Sequence, residues 1–510
     1  MPNLQLLQWA SSIVGTIFAF MFGAVAGSFI NVLVYRLPRG LNVVTPPSAC
    51  PHCSTRLTWR ENLPIIGWLR LRGRCRFCRA PISPEYPIVE TIVALLFAVL
   101  YALWFFNDRA LESVGVSLDA WRPAWTVLGS GRMLPSLIAV LSLVGTLVAI
   151  TIIDARTFMI PMALPWFASV VGLLVHPLHA WWVERQTRNM PFAFPEWEWV
   201  IPAIPVARPE VSAAVLGGVA GLGIALLALR LGLLRRSFAD YEAWEAEHGA
   251  AQAAADATAA AAPTEPDASE GATPGMRALL LRTFFFTGPA VALLGLGYAY
   301  GLTTNQDPLP FTVGGMVIGL LIGTLLRRLV VDGDDHSAEP IWVQYPYARR
   351  EMGIELLFLA PCVVLGVLGW WLASDGGALR GVFTDLSLPV RVLGGVLAGY
   401  LVGGGLIWGV RIFGTLAFGK EAMGLGDVHL LAAVGAVLGW ISPLLAFFAA
   451  LFLGIGWAML SVFSTRLFKR EGTALPFGPH LAAAALLTLY LRPGFEWALS
   501  HLFAGPVSLP

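Results

Sequence analysis

The sequence predicts an all-α polytopic membrane protein of about 12 transmembrane helices, with one small four-cysteine loop domain outside the bilayer. Three observations predict it. Of the 510 residues, 57% are hydrophobic and only 13% charged, and the mean hydropathy is +0.70; an ordinary soluble domain carries about 25% charged residues. The apolar residues gather into runs of about 20, the length that crosses a bilayer at about 1.5 Å rise per residue. Four of the five cysteines form two Cys-x-x-Cys pairs inside a single hydrophilic stretch. The shortage of charge excludes a typical cytosolic enzyme and a disordered chain. With 33 basic and 32 acidic residues the net charge is +1, so no global field draws a polyanion and no nucleic-acid partner is expected.

Apolar spans fall near 12–34, 88–106, 134–153, 162–182, 211–234, 281–302, 311–328, 352–373, 389–411, 427–441, 444–464 and 476–491. The first has no basic segment before it and no small-residue cleavage site ahead of Asn31, so it reads as a retained anchor. The chain accordingly divides into a first span (1–34), a cytoplasmic cysteine domain (35–87) and spans carrying a first candidate acid (88–182). An inserted region (183–388), spans carrying a second acid (389–491) and a tail (492–510) follow. Within the insertion, 237–275 holds eight acidic residues, no Lys or Arg, and an alanine-rich run, the composition of a disordered linker.

Orientation follows from the basic residues of the loops. Segment 35–87 holds nine arginines against only Glu61 and Glu85, so it should be cytoplasmic. Alternation of the spans then places Arg156, Arg235–Arg236, Arg327–Arg328, Arg349–Arg350, Lys420 and the cluster at 466–470 on the same side.

The cysteine loop reads Cys50-Pro-His-Cys53 and Cys75-Arg-Phe-Cys78, the two pairs joined by the segment 54–74. Two such turns can aim four sulfurs at one point and close a tetrahedral zinc site. In a reducing compartment this outweighs disulfides. A zinc held by Cys50, Cys53, Cys75 and Cys78 has no open position, so it is structural. Cys362, inside an apolar span, reads as a core residue.

Most spans contain no acid. A carboxylate inside one is costly and points to function. Asp154 ends the third span in Ile152-Ile153-Asp154-Ala155-Arg156. Asp427 begins the tenth in Gly424-Leu425-Gly426-Asp427-Val428-His429. More than half the chain separates them in sequence, yet the topology puts both at the cytoplasmic boundary. Two neighbouring carboxylates share a proton, so one can deprotonate water while the other protonates a carbonyl oxygen, which is peptide hydrolysis without a covalent intermediate. Gly424 and Gly426 would let a substrate backbone approach closely. The bland alternative pairs Asp154 with an arginine and leaves Asp427 as a helix cap.

These residues resemble the type IV prepilin peptidases, the bifunctional leader peptidase/N-methyltransferases of bacterial inner membranes. The resemblance rests on Gly27-Ser28-Phe29-Ile30-Asn31, Tyr35-Arg36-Leu37-Pro38 and the double Cys-x-x-Cys loop. It continues in Asn62-Leu63-Pro64-Ile65, Pro81-Ile82-Ser83, Tyr86-Pro87 with Glu90, Gly426-Asp427 and Pro476-Phe477-Gly478-Pro479. It covers about 1–165 and 390–491. It implies cleavage of prepilin or pseudopilin leaders at the cytoplasmic face, after a glycine, with Asp154 and Asp427 catalytic. It also implies methylation of the new N-terminus from S-adenosylmethionine. Glu90, Gly424, Gly426 and His429 are the candidate substrate contacts, with Glu61 as a further one. Two substitutions depart from the pattern: Met162 stands where the family usually has an acid, and His429 where it usually has lysine. The long stretch between the fourth and ninth spans has no counterpart. Two rivals remain: a proton- or cation-coupled transporter, and an inactive scaffold for pilin assembly.

Overall fold

The computed structural model describes residues 2–107, 111, 114–187, 204, 206–241, 243–244, 292–293, 347–419, 421–468, 476–502, 505 and 509. Among them the chain is helical, with no strand longer than a single bridge. The helices are α1 (Pro2–Arg36), α2 (Ile66–Leu71), α3 (Glu85–Phe105), α4 (Ser130–Thr157), α5 (Ala163–Thr187) and α6 (Pro209–Arg230). They continue with α7 (Ala348–Ala373), α8 (Arg380–Thr384), α9 (Leu388–Phe418), α10 (Leu425–Leu438), α11 (Ile441–Phe468), α12 (Phe477–Tyr490) and α13 (Arg492–Leu502).

Eight of these are long and apolar enough to cross a membrane. Helices satisfy their own backbone polar groups, the condition hydrocarbon imposes. The expected count of twelve is not reached among the described residues. The spans expected at 281–302 and 311–328, and most of the acidic linker, lie outside them. Two others emerge as short helices, α10 and α12, of 14 residues each. At 1.5 Å per residue each runs about 21 Å, less than the roughly 30 Å hydrocarbon core. The helix α5 tolerates His179 because its ring is satisfied, by Ser136 Oγ at 2.9 Å and the Arg132 carbonyl at 2.8 Å.

The chain divides into two compact units: 1–216 with 367–407 and 425–510, and 217–366 with 408–424. In the first, α1 packs along α3, and α4 touches α1, α3, α5, α10 and α12. Its most deeply buried side chains include Leu143, Leu147, Ile150 and Ile153 of α4, making this helix the centre of the unit. Small residues bring backbones together: a methyl group on Gly435 of α10 would lie 2.0 Å from the Gly399 carbonyl oxygen of α9, the close approach on which helix packing in membranes depends. In the second unit, Gly217 and Gly221 of α6 meet the carbonyls of Leu365 and Pro361 of α7 in the same way.

Candidate active site and metal centre

The cysteine segment folds as two copies of one turn. Ala49 bridges Arg56, and Arg74 bridges Pro81. Cys50 N–H donates to the Thr55 carbonyl and Ser54 N–H to that of Cys50. Cys75 N–H likewise donates to Ala80 and Arg79 N–H to Cys75. The pattern of 49–56 thus recurs position for position in 74–81. Ser54 and Arg79 both take left-handed conformations, at φ 55° and 62°, which curl each turn so that its cysteines face inward.

The result is a cluster in which all four Sγ atoms lie within 4.8 Å of one another. Cys50 and Cys78 are 3.8 Å apart, Cys53 and Cys75 4.0 Å. A tetrahedron of sulfurs about 2.3 Å from a central ion has edges of about 3.8 Å, so the four fit a metal ion. All four are free thiols rather than disulfides. Their acidities are uneven. The Thr55 hydroxyl, then its backbone N–H, lowers the Cys53 thiol to about 6. Backbone N–H groups of Cys78 and Phe77 lower Cys75. Cys78 is raised to about 11: the Ala80 N–H favours its thiolate, but desolvation and the other sulfurs outweigh that. Cys53 and Cys75 are thus made more acidic, while the neighbouring sulfurs oppose ionisation of Cys78.

One carboxylate moors the domain to the spans, and another is engaged within the domain. Glu90, buried on α3, accepts the Ile65 N–H at 2.6 Å. Gly27 of α1 backs onto the Glu90 Cα, where a methyl group would lie at 2.7 Å. Asn31 Nδ2 donates to the Tyr86 carbonyl. Glu61 accepts the Thr58 N–H at 2.9 Å, which holds its carboxyl below the usual range, and pairs with Arg76. Both glutamates are therefore engaged within the protein.

Asp154 is 4% exposed, one turn before the end of α4. Its own carbonyl accepts the Phe158 N–H at 2.9 Å, and Phe158 takes φ +53°, ending the helix. A non-glycine residue held there stores local strain. Arg156 does not neutralise Asp154; it pairs with Glu85. Asp427 lies half-buried in the first turn of α10, where the helix dipole favours a carboxylate. Gly424, before that helix, is exposed. His429 is half-buried, its ring 5.5 Å from that of Trp166 on α5.

The helices carrying the two aspartates, α4 and α10, contact each other and both contact α12. One side chain ties the three together. A methyl group on Gly478 of α12 would fall 2.3 Å from Asp154 Oδ2 and 3.1 Å from Ile160 Cδ1; one on Gly426 would fall 2.8 Å from Ile160 Cβ. Ile160 is thus the common neighbour of the Asp154–Gly478 contact and of the residue preceding Asp427. Sequence reasoning assigned no role to Ile160 or Gly478, although Gly478 stands in the Pro-Phe-Gly-Pro segment it had noted. Beside this site a cavity of about 370 Å³ opens between α1, α3 and α4, lined by Asn31, Tyr35, Arg39, Glu85, Tyr86 and Arg156 among others, and by Ile153.

Residues 21–104 match the family model of the bacterial peptidase A24 N-terminal domain. Over 81 residues the chain is 48% identical to a prepilin leader peptidase/N-methyltransferase of Myxococcus xanthus, covering 16% of this chain and 24% of that protein. Over 183 residues it is 34% identical to one of Aeromonas hydrophila, covering 30% and 54% respectively. Over these segments the chain is similar to prepilin leader peptidase/N-methyltransferases. A third relative, from Klebsiella pneumoniae, is 43% identical over 88 residues, covering 16% of this chain and 39% of that protein. The chain spans between about a quarter and about half the length of these curated relatives. No solved structure matches.

Proposed function

We propose that this chain is an inner-membrane aspartic endopeptidase that removes the leader of type IV prepilin-like proteins at the cytoplasmic face. The observation that carries this reading is the shared neighbour Ile160, which brings the Asp154–Gly478 contact together with Gly426, the residue before Asp427. In the reaction, one ionised carboxylate takes a proton from water as its oxygen attacks the scissile carbonyl. The other, protonated, gives its proton to the carbonyl oxygen. Collapse of the tetrahedral species returns a proton to the leaving amine and breaks the C–N bond. Burial of Asp154 and the glycine on each side of the site suit a water-poor pocket entered by an extended peptide.

The four cysteines would hold zinc with no open position, a structural ion that fixes the 35–87 segment beside the spans. The relatives' names also carry an N-methyltransferase activity. S-adenosylmethionine would supply an electrophilic methyl group, but the described residues show no strand-to-helix glycine turn to seat a nucleotide, and none of the groups above is assigned to it. A transporter reading would place its acids near the bilayer midplane, whereas Asp154 lies a single turn from the end of its helix.

The test is processing of a purified prepilin by membranes containing the chain, read by mass spectrometry of both fragments. A leader ending in glycine and a mature chain beginning with an apolar residue are expected. An intact precursor, with the protein inserted and folded, overturns the assignment.

A further inference from the structure

The cysteine domain carries an exposed apolar face that the chemistry above does not use. On the short helix α2, Ile66, Leu69 and Arg70 fall on one side by the spacing i, i+3, i+4, and all three are exposed. The other side is packed. Gly67 lies against the Glu61 carbonyl oxygen, where a methyl group would fall at 2.4 Å, and Trp68 Nε1 donates to the Ile82 carbonyl at 3.1 Å. In the loop before α2, Trp59, Arg60 and Leu63 are exposed as well, with the Arg60 guanidinium 5.2 Å from the centre of the Trp59 ring. Trp59 is 70% exposed, Ile66 59% and Leu69 60%. So much large apolar surface on so small a domain marks an interaction site.

The depth of this face is fixed by the Ile65 N–H, directly before α2, which donates to Glu90 at 2.6 Å. Helix α3 begins at Glu85, so Glu90 stands about 7.5 Å along its axis at about 1.5 Å per residue. It falls just inside the apolar run 88–106, and its neighbours Ile88 and Ile92 are exposed on α3, as the lipid-facing side of a span is. The start of α2 is therefore held where headgroups meet hydrocarbon, beneath a polar layer about 6 Å deep. Charge fits the same level. The two acids of segment 35–87 are both taken, Glu61 by Arg76 and Glu85 by Arg156. Arg60 and Arg70, next in sequence to Trp59 and Leu69, stand exposed.

We propose that the face formed by Trp59, Leu63, Ile66 and Leu69 is seated in the headgroup layer of the bilayer, where Arg60 and Arg70 bind the phosphates of anionic lipids. The aliphatic residues reach toward the acyl chains, and Trp59 takes the level that aromatic residues favour at an interface. Each guanidinium can meet a phosphate with two parallel hydrogen bonds while its stem lies along the apolar surface. Amphipathic segments rest about 5–10 Å into this boundary, the depth that the Glu90 attachment sets. The cysteine domain is thus held to the membrane by its own surface as well as through α1 and α3. The inference stands apart from the peptidase reading and needs no substrate.

The test uses the full chain in nanodiscs of phosphatidylcholine with a minority of phosphatidylglycerol, carrying a benzoylphenylalanine photoprobe at Leu69 or, separately, at Ile66. The same probe at Ile92 marks the exposed side of α3 and reports that the protein is inserted. Mass spectrometry after irradiation should find phospholipid adducts at both positions of α2. Phosphatidylglycerol should be over-represented in them about threefold or more relative to its share of the bilayer. Arg60→Gln/Arg70→Gln should return the adducts to the bilayer ratio, and so should high salt. Lipid adducts at Ile92 with none at Leu69 and Ile66 overturn the proposal. Adducts in the bilayer ratio in the parent overturn it too. Cross-linking to a second copy of the chain or to an added prepilin, in place of lipid, gives the face a protein occupant and overturns it as well.

Discussion

The cysteine cluster and the aspartate neighbourhood are assembled in opposite ways. The four sulfurs come from two short turns within one segment, each turn closed by its own backbone hydrogen bonds. The aspartates stand on helices remote from each other along the chain that pack on one another and on α12, with Ile160 lying against both Gly426 and Gly478. Ordering the first needs only a short loop, whose closure entropy is small. Ordering the second needs the packing of a whole helical unit. A local site should therefore fail by losing its ligand, and a distributed one by losing alignment.

The largest effect tests alignment at its chemical end. Asp154→Asn and Asp427→Asn keep shape but remove a titratable group, and each should lower prepilin cleavage by at least about 10³-fold with the protein still inserted. The measurement is product formation in membranes carrying equal amounts of each variant, and full cleavage by either would falsify the two-carboxylate mechanism. Next, Cys50→Ser or Cys75→Ser should abolish bound zinc, read by metal analysis of purified protein, and should speed proteolysis of the 50–78 segment. Zinc-free parent protein would end the metal assignment. Cleavage that survives zinc loss would show that the local site can fail alone.

Gly478→Ala places a methyl group 2.3 Å from Asp154 Oδ2, so the carboxylate must swing away. A loss of about 10- to 100-fold in kcat is expected, with thermal stability changed far less. Equal kcat in the variant would show that Asp154 has room the packing denies it. The smallest effect concerns pH. Zinc requires thiolates, and the Thr55 hydrogen bonds lower Cys53 to about 6, so Cys53 offers a thiolate above that pH and a proton below it. Zinc affinity should fall about tenfold per pH unit below 6 beyond whatever slope the other sulfurs impose, measured with a chromophoric chelator. Affinity that does not change between pH 6 and 5 would mean that Cys53 is not a ligand.

What could be read in the sequence follows the same division. The four-cysteine cluster was legible because cysteine spacing encodes its geometry locally. Asp154 and Asp427 stand out in the sequence because each is a carboxylate at the end of an apolar run. The helical class followed from composition. Ile160 and Gly478 were not legible, since an isoleucine and a glycine among so many carry no chemical mark until packing shows what they touch. Among the described residues, two of the expected spans, α10 and α12, are apolar enough to read as crossings but stop short of bilayer length, and two more, at 281–302 and 311–328, lie outside those residues.

The twin turns around the sulfur cluster carry one more consequence. The same bridge, the same pair of hydrogen bonds and a left-handed residue at the same place occur in 49–56 and again in 74–81, so the four sulfurs are held by two repeats of one backbone turn. Each half is in effect a cassette, and the architecture depends on having two of them rather than on which comes first along the polypeptide.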